Sequence, residues 1–320
     1  MRERARIIRQ VRAFFDGRDY LELDTPLLSG DLIPESCLEV FETSRILPSG
    51  SSQQYWLIPS PEIWMKKIIA KVLDENRRPV NVYQICKCFR NGESSGFLHN
   101  PEFTMLEYYT MNASYIDSLE LTGKLFAFLS QNSSEKNNRV PFERMTVAEA
   151  FVRYAGFDLF DAAEKPGALE TEARRLGLDP LPGMSTANLY DLIFIHAVEP
   201  KLKQERPIAL LDYPAFVPCL ARQSADGRTM ERWELYWNGI ELANCYSEET
   251  DPACVREFFE QEAAGKERNA VHHRVDHDYW KHFQDGFPRC SGVALGLDRL
   301  IMALLGRSTI DGVLPFPMEK

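Results

Sequence analysis

The sequence predicts an α+β fold in which an antiparallel sheet is flanked by helices. Strand-like segments come in hairpins with helical segments between them, and the regular strand–helix–strand alternation of a parallel sheet is absent. Asn238-Gly239 joins two strand-like runs, which is the strongest short-range signal for a β-hairpin. Neither a P-loop nor a Rossmann fingerprint occurs, so the common parallel-sheet nucleotide folds are not supported.

Composition narrows the class of protein further. The chain has 320 residues, of which 44% are apolar and 26% charged, a balance typical of a soluble globular protein. Its formal net charge of −10 disfavours a general nucleic-acid binder, although a local basic patch remains possible. No apolar run approaches the roughly 18–20 residues of a membrane helix. The seven cysteines form no CxxC pair, which favours reduced thiols in a cytoplasmic protein.

The arginine-rich N-terminus could be a transit peptide, but its apolar pattern favours mature structure. A helical stripe that would pack on a core is formed by Ile7, Ile8, Val11, Phe14 and Phe15. An alternating strand over 20–23 follows directly.

The remaining elements follow from local signals. Ser60-Pro61 opens a helix over 61–72, and Thr146 and Glu149 form a capping box before another helical region. The other predicted elements are strands over 82–90, 103–110 and 208–211, a helix over 188–198, a hairpin over 233–246, and a strand followed by a helix over 292–305.

One candidate binding surface lies on the predicted strand over 103–110. Its two-residue period places Phe103, Met105, Glu107 and Tyr109 on one face. Arg90, at the end of the preceding strand, could clamp a phosphate or carboxylate. The alternative is an edge hairpin with one exposed face.

A second candidate is the hairpin around Asn238-Gly239. The turn places Tyr236 opposite Glu241 and Glu234 opposite Ala243, so that Glu234 and Glu241 share a face. Two carboxylates on rigid strands suit Mg²⁺, whereas the alternative is a solvated acidic face.

Strict alternation along the second strand of this hairpin places Asn244, Tyr246 and Glu248 on the opposite face. If these residues serve the same site as the two glutamates, a bulge or bend near Ala243 is required.

A third candidate is the strand and helix over 292–305. Gly292, Ala294 and Gly296 leave one strand face nearly bare, and Arg299 falls in the first turn of the following helix, where the helix dipole disfavours its charge. A bound ligand would justify that placement. Four histidines between 272 and 282 match no familiar zinc spacing, so a metal site there is disfavoured.

The order of these blocks resembles the three motifs of class II aminoacyl-tRNA synthetases, most closely the lysyl branch. The segment 17–28 resembles motif 1, segments 89–93 and 99–109 resemble motif 2, and 292–302 resembles motif 3. Ser60-Pro61-Glu62, Asp212-Tyr213-Pro214 and the segment 239–244 match the lysyl-type signature between them. The resemblance extends from Arg4 to Pro317 and implies the class II antiparallel sheet.

Within this branch the chain resembles the elongation factor P–(R)-β-lysine ligases. The motif 1 helix starts almost at Met1, so we expect a single catalytic domain over 1–320, with a helical insertion at roughly 112–206 and no anticodon-binding domain. Ala294 replaces the glycine usual in lysyl-tRNA synthetases, and Ser60 replaces alanine. The resemblance implies elongation factor P and (R)-β-lysine or lysine as partners, rather than tRNA or a membrane, and a homodimer through motif 1.

The resemblance also implies residue roles. Arg90 and Arg299 would be catalytic, and Mg²⁺ would be held by Glu234 and Glu241. ATP would be bound by Arg90, Glu93, His99, Asn100, Phe103, Glu234, Glu241 and Arg299, with adenine between Phe103 and Arg299. The amino-acid substrate would be recognised by Ser60, Glu62, Glu107, Tyr109, Asn244, Tyr246, Glu248 and Ala294.

The implied reaction forms an aminoacyl-adenylate and transfers its acyl group to a protein lysine. Two alternatives remain: a minimal lysyl-tRNA synthetase-like enzyme acting on tRNA, and a catalytically inactive, synthetase-like regulatory module. Phe97, Cys245 and Glu249 depart from the family pattern and bear mainly on substrate choice.

Overall fold

The computed structural model describes residues 1–72, 78–92, 96–130, 142–203, 206–266 and 270–318. The chain divides into two compact units, one formed by Met1–Ala113 with Glu248–Lys320 and the other by Ser114–Ser247. Within the described ranges, no helix is long and apolar enough to cross a membrane. The prediction of a single domain with a helical insertion stays a prediction.

The first unit contains four helices and seven strands among its described residues. The α-helices are α1 (Arg2–Asp16), α2 (Glu62–Ile69), α8 (Pro252–Gly265) and α9 (Leu297–Leu304). The strands are β1 (Leu21–Glu22), β2 (Leu28–Ser29), β3 (Glu42–Ile46), β4 (Ser52–Leu57), β5 (Val82–Phe89), β6 (Glu102–Met111) and β11 (Cys290–Gly296). Short 3₁₀ turns cover Tyr279–Phe283 and Ile310–Gly312.

Two sheets organise this unit. In the main one the strand order is β1-β5-β6-β11, and a smaller sheet has the order β2-β4-β3. The pairs β5–β6 and β6–β11 are antiparallel, as predicted, whereas the two-residue strand β1 pairs with β5 in parallel. β6 therefore lies between β5 and β11, so the segments resembling motifs 2 and 3 occupy neighbouring strands.

The N-terminal helix packs through the stripe that the sequence predicts. Ile7, Val11, Phe14 and Phe15 are buried in the core. The ring of Phe15 stacks on Tyr83, with 4.9 Å between the ring centres. Burial of such aromatic and aliphatic side chains anchors α1 to the sheet.

The second unit carries the other described helices and strands. Its α-helices are α3 (Tyr115–Ser130), α4 (Val147–Ala150), α5 (Leu159–Ala163), α6 (Ala168–Arg175) and α7 (Thr186–Ile193). Its strands are β7 (Glu143–Thr146), β8 (Ile208–Pro214), β9 (Thr229–Trp237) and β10 (Ile240–Ser247). Two π-helical turns, Phe151–Ala155 and Phe194–Val198, extend α4 and α7, and a 3₁₀ turn covers Glu199–Lys201.

Local signals are confirmed throughout this unit. Asn238 and Gly239 both have positive φ, as the tight turn between β9 and β10 requires. Thr146 and Glu149 form the reciprocal bonds of the capping box. The strand order is β10-β9-β8-β7, antiparallel except for the edge pair β7–β8. Helices and strands of both units together confirm the α+β class.

Candidate active site

A buried cluster of charged side chains lies in the first unit around α2. The Nζ atom of Lys66 lies 2.5 Å from Oε1 of Glu62 and 2.6 Å from Oε2 of Glu248. Glu62 is the first residue of α2, where the helix dipole favours a carboxylate, and Lys66 follows one turn later. Lys66 is 2% exposed and Glu248 is 3% exposed. The structure thus brings together two predicted substrate residues around a buried lysine.

β6 contributes a carboxyl and a phenol from one face, as predicted. The hydroxyl of Tyr109 donates to Oε1 of Glu107 at 2.7 Å, and each residue is 2% exposed. The second oxygen of Glu107, Oε2, is buried and accepts no hydrogen bond from any described residue. An unpaired buried polar atom is costly, so this oxygen indicates a position that a ligand completes.

β11 presents the bare face that its small residues predict. Gly292 pairs with Tyr109, and Ala294 pairs with Glu107. A Cβ atom on Gly292 would lie 2.2 Å from Oε1 of Glu248 and 2.6 Å from Cε1 of Tyr109. Only glycine therefore allows these two side chains to approach the β11 backbone so closely.

Protonation in the cluster is controlled by burial and by its mixed charges. Burial raises the pKa of Glu248 to about 7, although Lys66 opposes this shift. Burial, and then the charge of Glu62, raises the pKa of Glu107 well above its usual value. Burial alone would lower the pKa of Lys66, but Glu248 and Glu62 outweigh it and hold that pKa well above its usual value. Lys66 is therefore charged at neutral pH, while the protonated form of Glu107 is favoured more than in an exposed carboxyl.

Arg90 and Phe103 lie together at the end of the β5–β6 pair. Arg90 directly follows β5, and its backbone N–H donates to the carbonyl of Pro101 at 3.0 Å. Its guanidinium carbon lies 5.3 Å from the centre of the Phe103 ring. An arginine and an aromatic face next to each other can bind an anionic and a planar group respectively.

The segment before β6 is tied to the first turn of α9. Nε of Arg299 donates to the carbonyl of Leu98 at 3.3 Å. Nδ2 of Asn100 donates to the carbonyl of Glu102 at 2.5 Å, and its Oδ1 accepts from the backbone N–H of Met318 at 3.0 Å. These contacts fix the backbone on either side of His99, which is partly buried.

Three further predicted residues lie apart from these contacts. Glu93 lies outside the described residues. Ser60 lies just before α2 and is partly buried, as is Ala294 on β11. The placement of adenine between Phe103 and Arg299 stays a prediction.

A buried ion pair fixes the start of α9. Arg4 lies 2.5 Å from Oδ1 of Asp298 and donates to the hydroxyl of Thr104 at 2.8 Å. The backbone N–H of Thr104 donates to Oδ2 of Asp298 at 2.7 Å. α1, β6 and α9 are joined at one point, directly beside Arg299.

In the second unit, the β9–β10 hairpin contains the bulge that the sequence analysis requires for a shared face. Tyr236 pairs with Glu241 as predicted, but the register then shifts between Glu241 and Ala243. Asn244, not Ala243, lies opposite Glu234. The expected pairing of Glu234 with Ala243 is wrong, because the bulge inserts one residue and turns Asn244 to the face of Glu234.

Glu234 is held by three donors, two from its own strand β9 and one from the neighbouring strand β8. Arg232 lies 2.5 Å from its Oε1, while the hydroxyls of Tyr213 and Tyr236 donate to its Oε2 at 2.6 and 2.7 Å. Glu234 is 8% exposed. Its carboxylate is therefore fixed in one orientation.

A second buried polar atom without a partner lies on β10. Nδ2 of Asn244 donates to the hydroxyl of Tyr246 at 3.2 Å, whereas its Oδ1 is buried and accepts no hydrogen bond from the described residues. Tyr246 pairs with Arg232, whose guanidinium carbon lies 5.5 Å from the Tyr246 ring centre. As with Glu107, such an oxygen indicates a place for a donor from a ligand.

Comparison with known proteins identifies the family of the chain. The family model for class II tRNA synthetases (D, K and N) matches residues 1–320. The chain belongs to the class II tRNA synthetases. It is 35% identical to the elongation factor P–(R)-β-lysine ligase of Avibacterium paragallinarum, covering 99% of this chain and 94% of that protein. Proteins of the same name from Pasteurella multocida and Vibrio atlanticus are 36% and 34% identical, covering 99% and 100% of this chain and 94% and 96% of theirs.

Family membership confirms the resemblance read from the ordered motifs. The matched relatives share the name that the sequence analysis reached within the lysyl branch. The roles of individual site residues stay predictions.

The resemblance implies a magnesium ion at two glutamates of the second unit. Glu234 and Glu241 supply hard oxygen atoms from rigid strands, and three donors leave Glu234 with acceptor capacity. No group of three or more acidic, histidine or cysteine side chains suited to a metal occurs in the described part of the chain. The residues therefore fit a magnesium ion bound jointly with substrate phosphates, not a site made of protein ligands alone.

Sequence reasoning missed several residues around these sites. Lys66 was detectable as the i+4 partner of Glu62 on a predicted helix. Arg232 was detectable because it lies two residues before Glu234 on a predicted strand, so both side chains point to the same face. The contact between Arg4 and Asp298 joins opposite ends of the sequence, and no local signal predicts it.

Proposed function

We propose that the protein activates (R)-β-lysine with ATP and transfers it to a lysine side chain of elongation factor P. The observation that carries the proposal is the buried acidic cluster of the first unit. It contains Glu62, Glu107 and Glu248, and one of its carboxyl oxygens has no partner among the described residues. Full-length similarity to ligases with this activity in their names supports the same conclusion.

The acidic cluster suits a substrate with ammonium groups. An ammonium group near Oε2 of Glu107 would satisfy the unpaired acceptor and lower the pKa of that carboxyl. Because burial raises this pKa in the free protein, substrate binding would favour the ionised form of Glu107. A neutral or acidic side chain in the same place would leave Oε2 of Glu107 without a cationic partner.

The first chemical step joins the substrate carboxylate to AMP. A carboxylate oxygen attacks the α-phosphorus of ATP, the bond to the β-phosphate oxygen breaks, and pyrophosphate leaves with the electron pair. Arg90 is proposed to stabilise the negative charge on the α-phosphate, with Phe103 beside it to receive a planar base. Arg299, held through Asp298 and Arg4, is proposed to bind the other face of the base.

The second step forms an amide. The neutral amine of the acceptor lysine attacks the carbonyl carbon of the adenylate, AMP leaves with the electron pair, and the amine proton passes to solvent. No protein nucleophile is needed, so catalysis would consist of positioning and charge stabilisation.

Magnesium is proposed to bind at Glu234 and Glu241, where it would neutralise phosphate charge. A homodimer through 17–28 is also proposed. Two exposed leucines in that stretch, Leu21 and Leu28, support it. Seven free cysteines support a cytoplasmic location.

Preference for the β-amino acid is proposed to depend on Ala294. This residue pairs with Glu107 on the bare face of β11, so its methyl group borders the acidic cluster. A substrate whose amino group is moved by one carbon would meet that methyl differently from α-lysine.

The proposal is tested by ATP–pyrophosphate exchange with (R)-β-lysine and α-lysine, followed by transfer to elongation factor P or to purified lysine tRNA. The expected result is exchange that favours (R)-β-lysine, followed by modification of elongation factor P. Better exchange with α-lysine and transfer only to tRNA would instead establish the minimal synthetase. Absence of exchange with either isomer would reject the enzyme altogether.

A further inference from the structure

The buried lysine in the acidic cluster has no role in the reaction outlined above. Lys66 lies on the core-facing side of α2, among the buried residues Ile63, Met65 and Ile69. Its ammonium contacts Glu62 at 2.5 Å and Glu248 at 2.6 Å. Burying an ammonium is costly even when it is paired, so an apolar residue here would be the simpler solution for stability alone.

The lysine is buried more deeply than Glu62 and as deeply as Glu248. The side chain of Lys66 is 3% exposed, whereas that of Glu62 is 19% exposed. Glu248 uses Oε2 for Lys66, while its Oε1 lies against the backbone of Gly292. Each carboxylate can therefore contact Lys66 and still offer acceptor capacity to a ligand.

We propose that Lys66 is a positioning residue for substrate recognition, whose ammonium fixes Glu62 and Glu248 and favours the ionised form of Glu248 for the substrate's ammonium group. The inference rests on the proposed function and deepens it by naming what prepares the acidic cluster for a cationic amino acid. An alternative arrangement, in which Lys66 occupies the substrate's place and leaves on binding, predicts the opposite effect of removing it.

Electrostatics support this role. Among the described residues, six titratable groups face Glu248. α2 contributes Glu62 and Lys66, β6 contributes Tyr109, and the turn at 279–283 contributes Tyr279. The other two are Cys290 on β11 and Glu249, the next residue in the chain. Lys66 is the one cation in this set. Burial and Glu62 raise the pKa of Glu248, and Lys66 lowers it. Without Lys66, Glu248 would remain protonated to a higher pH.

The test compares Lys66→Met with wild type in the exchange assay. We expect KM for (R)-β-lysine to rise about tenfold or more, while KM for ATP stays within about twofold. The acid limb of the pH profile of kcat/KM for (R)-β-lysine should move to a higher pH by about one unit or more. The reason is that an opposite charge at the distance of Lys66 from Glu248 lowers a carboxyl pKa by about that amount. Lys66→Arg keeps the charge and should show a smaller shift.

Lys67→Met is the matched control. Lys67 is the next residue of α2 and forms its own ion pair with Asp276 at 2.5 Å, so its loss removes a comparable contact away from the acidic carboxyls. We expect an unchanged KM and an unmoved acid limb. An equal effect of both substitutions, an unmoved limb in Lys66→Met, or tighter substrate binding by Lys66→Met would overturn the inference.

A double variant keeps the test valid if Lys66→Met does not fold. Lys66→Met combined with Glu248→Gln removes both members of the pair and leaves no unpaired charge between them. If Lys66 acts through Glu248, the double variant should have nearly the KM of Glu248→Gln alone. A further tenfold rise in KM would show that Lys66 acts mainly through Glu62 or on the substrate directly, and would overturn the proposed action through Glu248.

Failure of the proposed function would give a different pattern. If wild type shows no exchange with either lysine isomer, the proposed function is wrong. The melting temperatures of wild type and the Lys66 variants, measured across pH, then still show whether Lys66 favours the ionised form of Glu248. Wild-type stability should fall as the pH rises to about 7 and then level off, because the folded Glu248 binds its proton more tightly than the unfolded one. In Lys66→Met the fall should continue above pH 7, and identical profiles would contradict the inference.

Discussion

A single methyl group at Gly292 should impair the substrate site more than its size suggests. In Gly292→Ala, the new Cβ would lie 2.2 Å from Oε1 of Glu248 and 2.6 Å from the Tyr109 ring. Ordinary carbon contacts are about 3.5–4.0 Å, so at least one neighbour must move by about 1 Å or more. Both distances are too short, so Glu248 and Tyr109 must both be displaced, although each is buried and held by a neighbour, Glu248 by Lys66 and Tyr109 by Glu107.

The expected cost follows from that displacement. Moving Glu248 by about 1 Å disturbs its 2.6 Å contact with Lys66, and misplacement on this scale costs about 100-fold in activity. Overpacking of this kind also lowers the free energy of unfolding by about 1–3 kcal/mol. We therefore expect kcat/KM for (R)-β-lysine in the exchange assay to fall about 100-fold, with KM for ATP nearly unchanged.

Gly123→Ala is the matched control for the Gly292 substitution. Gly123 lies within α3, and the nearest atom to an added Cβ is 3.9 Å away on Phe142. Alanine should stabilise the helix by up to about 1 kcal/mol and leave exchange unchanged. Wild-type kcat/KM and melting temperature in Gly292→Ala would refute the reasoning about close approach.

Three further substitutions probe other parts of the structure. Arg4→Met leaves the buried Asp298 carboxylate unpaired, so chemical denaturation should show that the free energy of unfolding falls by about 3–5 kcal/mol. KM for ATP should also rise, because Arg299 is displaced. Wild-type values of both quantities would contradict this role of Arg4. Thr146→Ala removes a helix cap and should cost about 1 kcal/mol in the same measurement with exchange unchanged, and an unaltered unfolding curve would count against the cap. In Glu248→Gln, the decline in melting temperature between the usual carboxyl pKa of 4.5 and about 7 should flatten, because the group that stays protonated longer in the folded state is removed; a slope equal to that of wild type would show that other groups cause it.

Local sequence patterns predicted the elements whose causes are local. The apolar stripe of α1, the turn at Asn238-Gly239 and the capping box at Thr146 each depend on neighbours within a few residues, and each appears in the structure. The small residues of β11 likewise predicted its bare face, since side-chain size is read directly from the sequence.

Features that depend on contacts distant in sequence were not predictable in the same way. The parallel pairing of β1 with β5 joins a two-residue strand to a partner about 60 positions away. The bulge between Glu241 and Ala243 could be stated only as a geometric requirement, because a period-2 pattern does not reveal where an extra residue is inserted. The contact between Lys66 and Glu248 joins residues far apart in the sequence, so no local pattern predicts it.

The most direct measurement of the central claim is the mass of elongation factor P after incubation with the protein, ATP and (R)-β-lysine. The account predicts a gain of one lysyl residue on a single lysine side chain, dependent on ATP and lost in Arg90→Ala. Unmodified elongation factor P in a reaction where lysine tRNA becomes aminoacylated would contradict it.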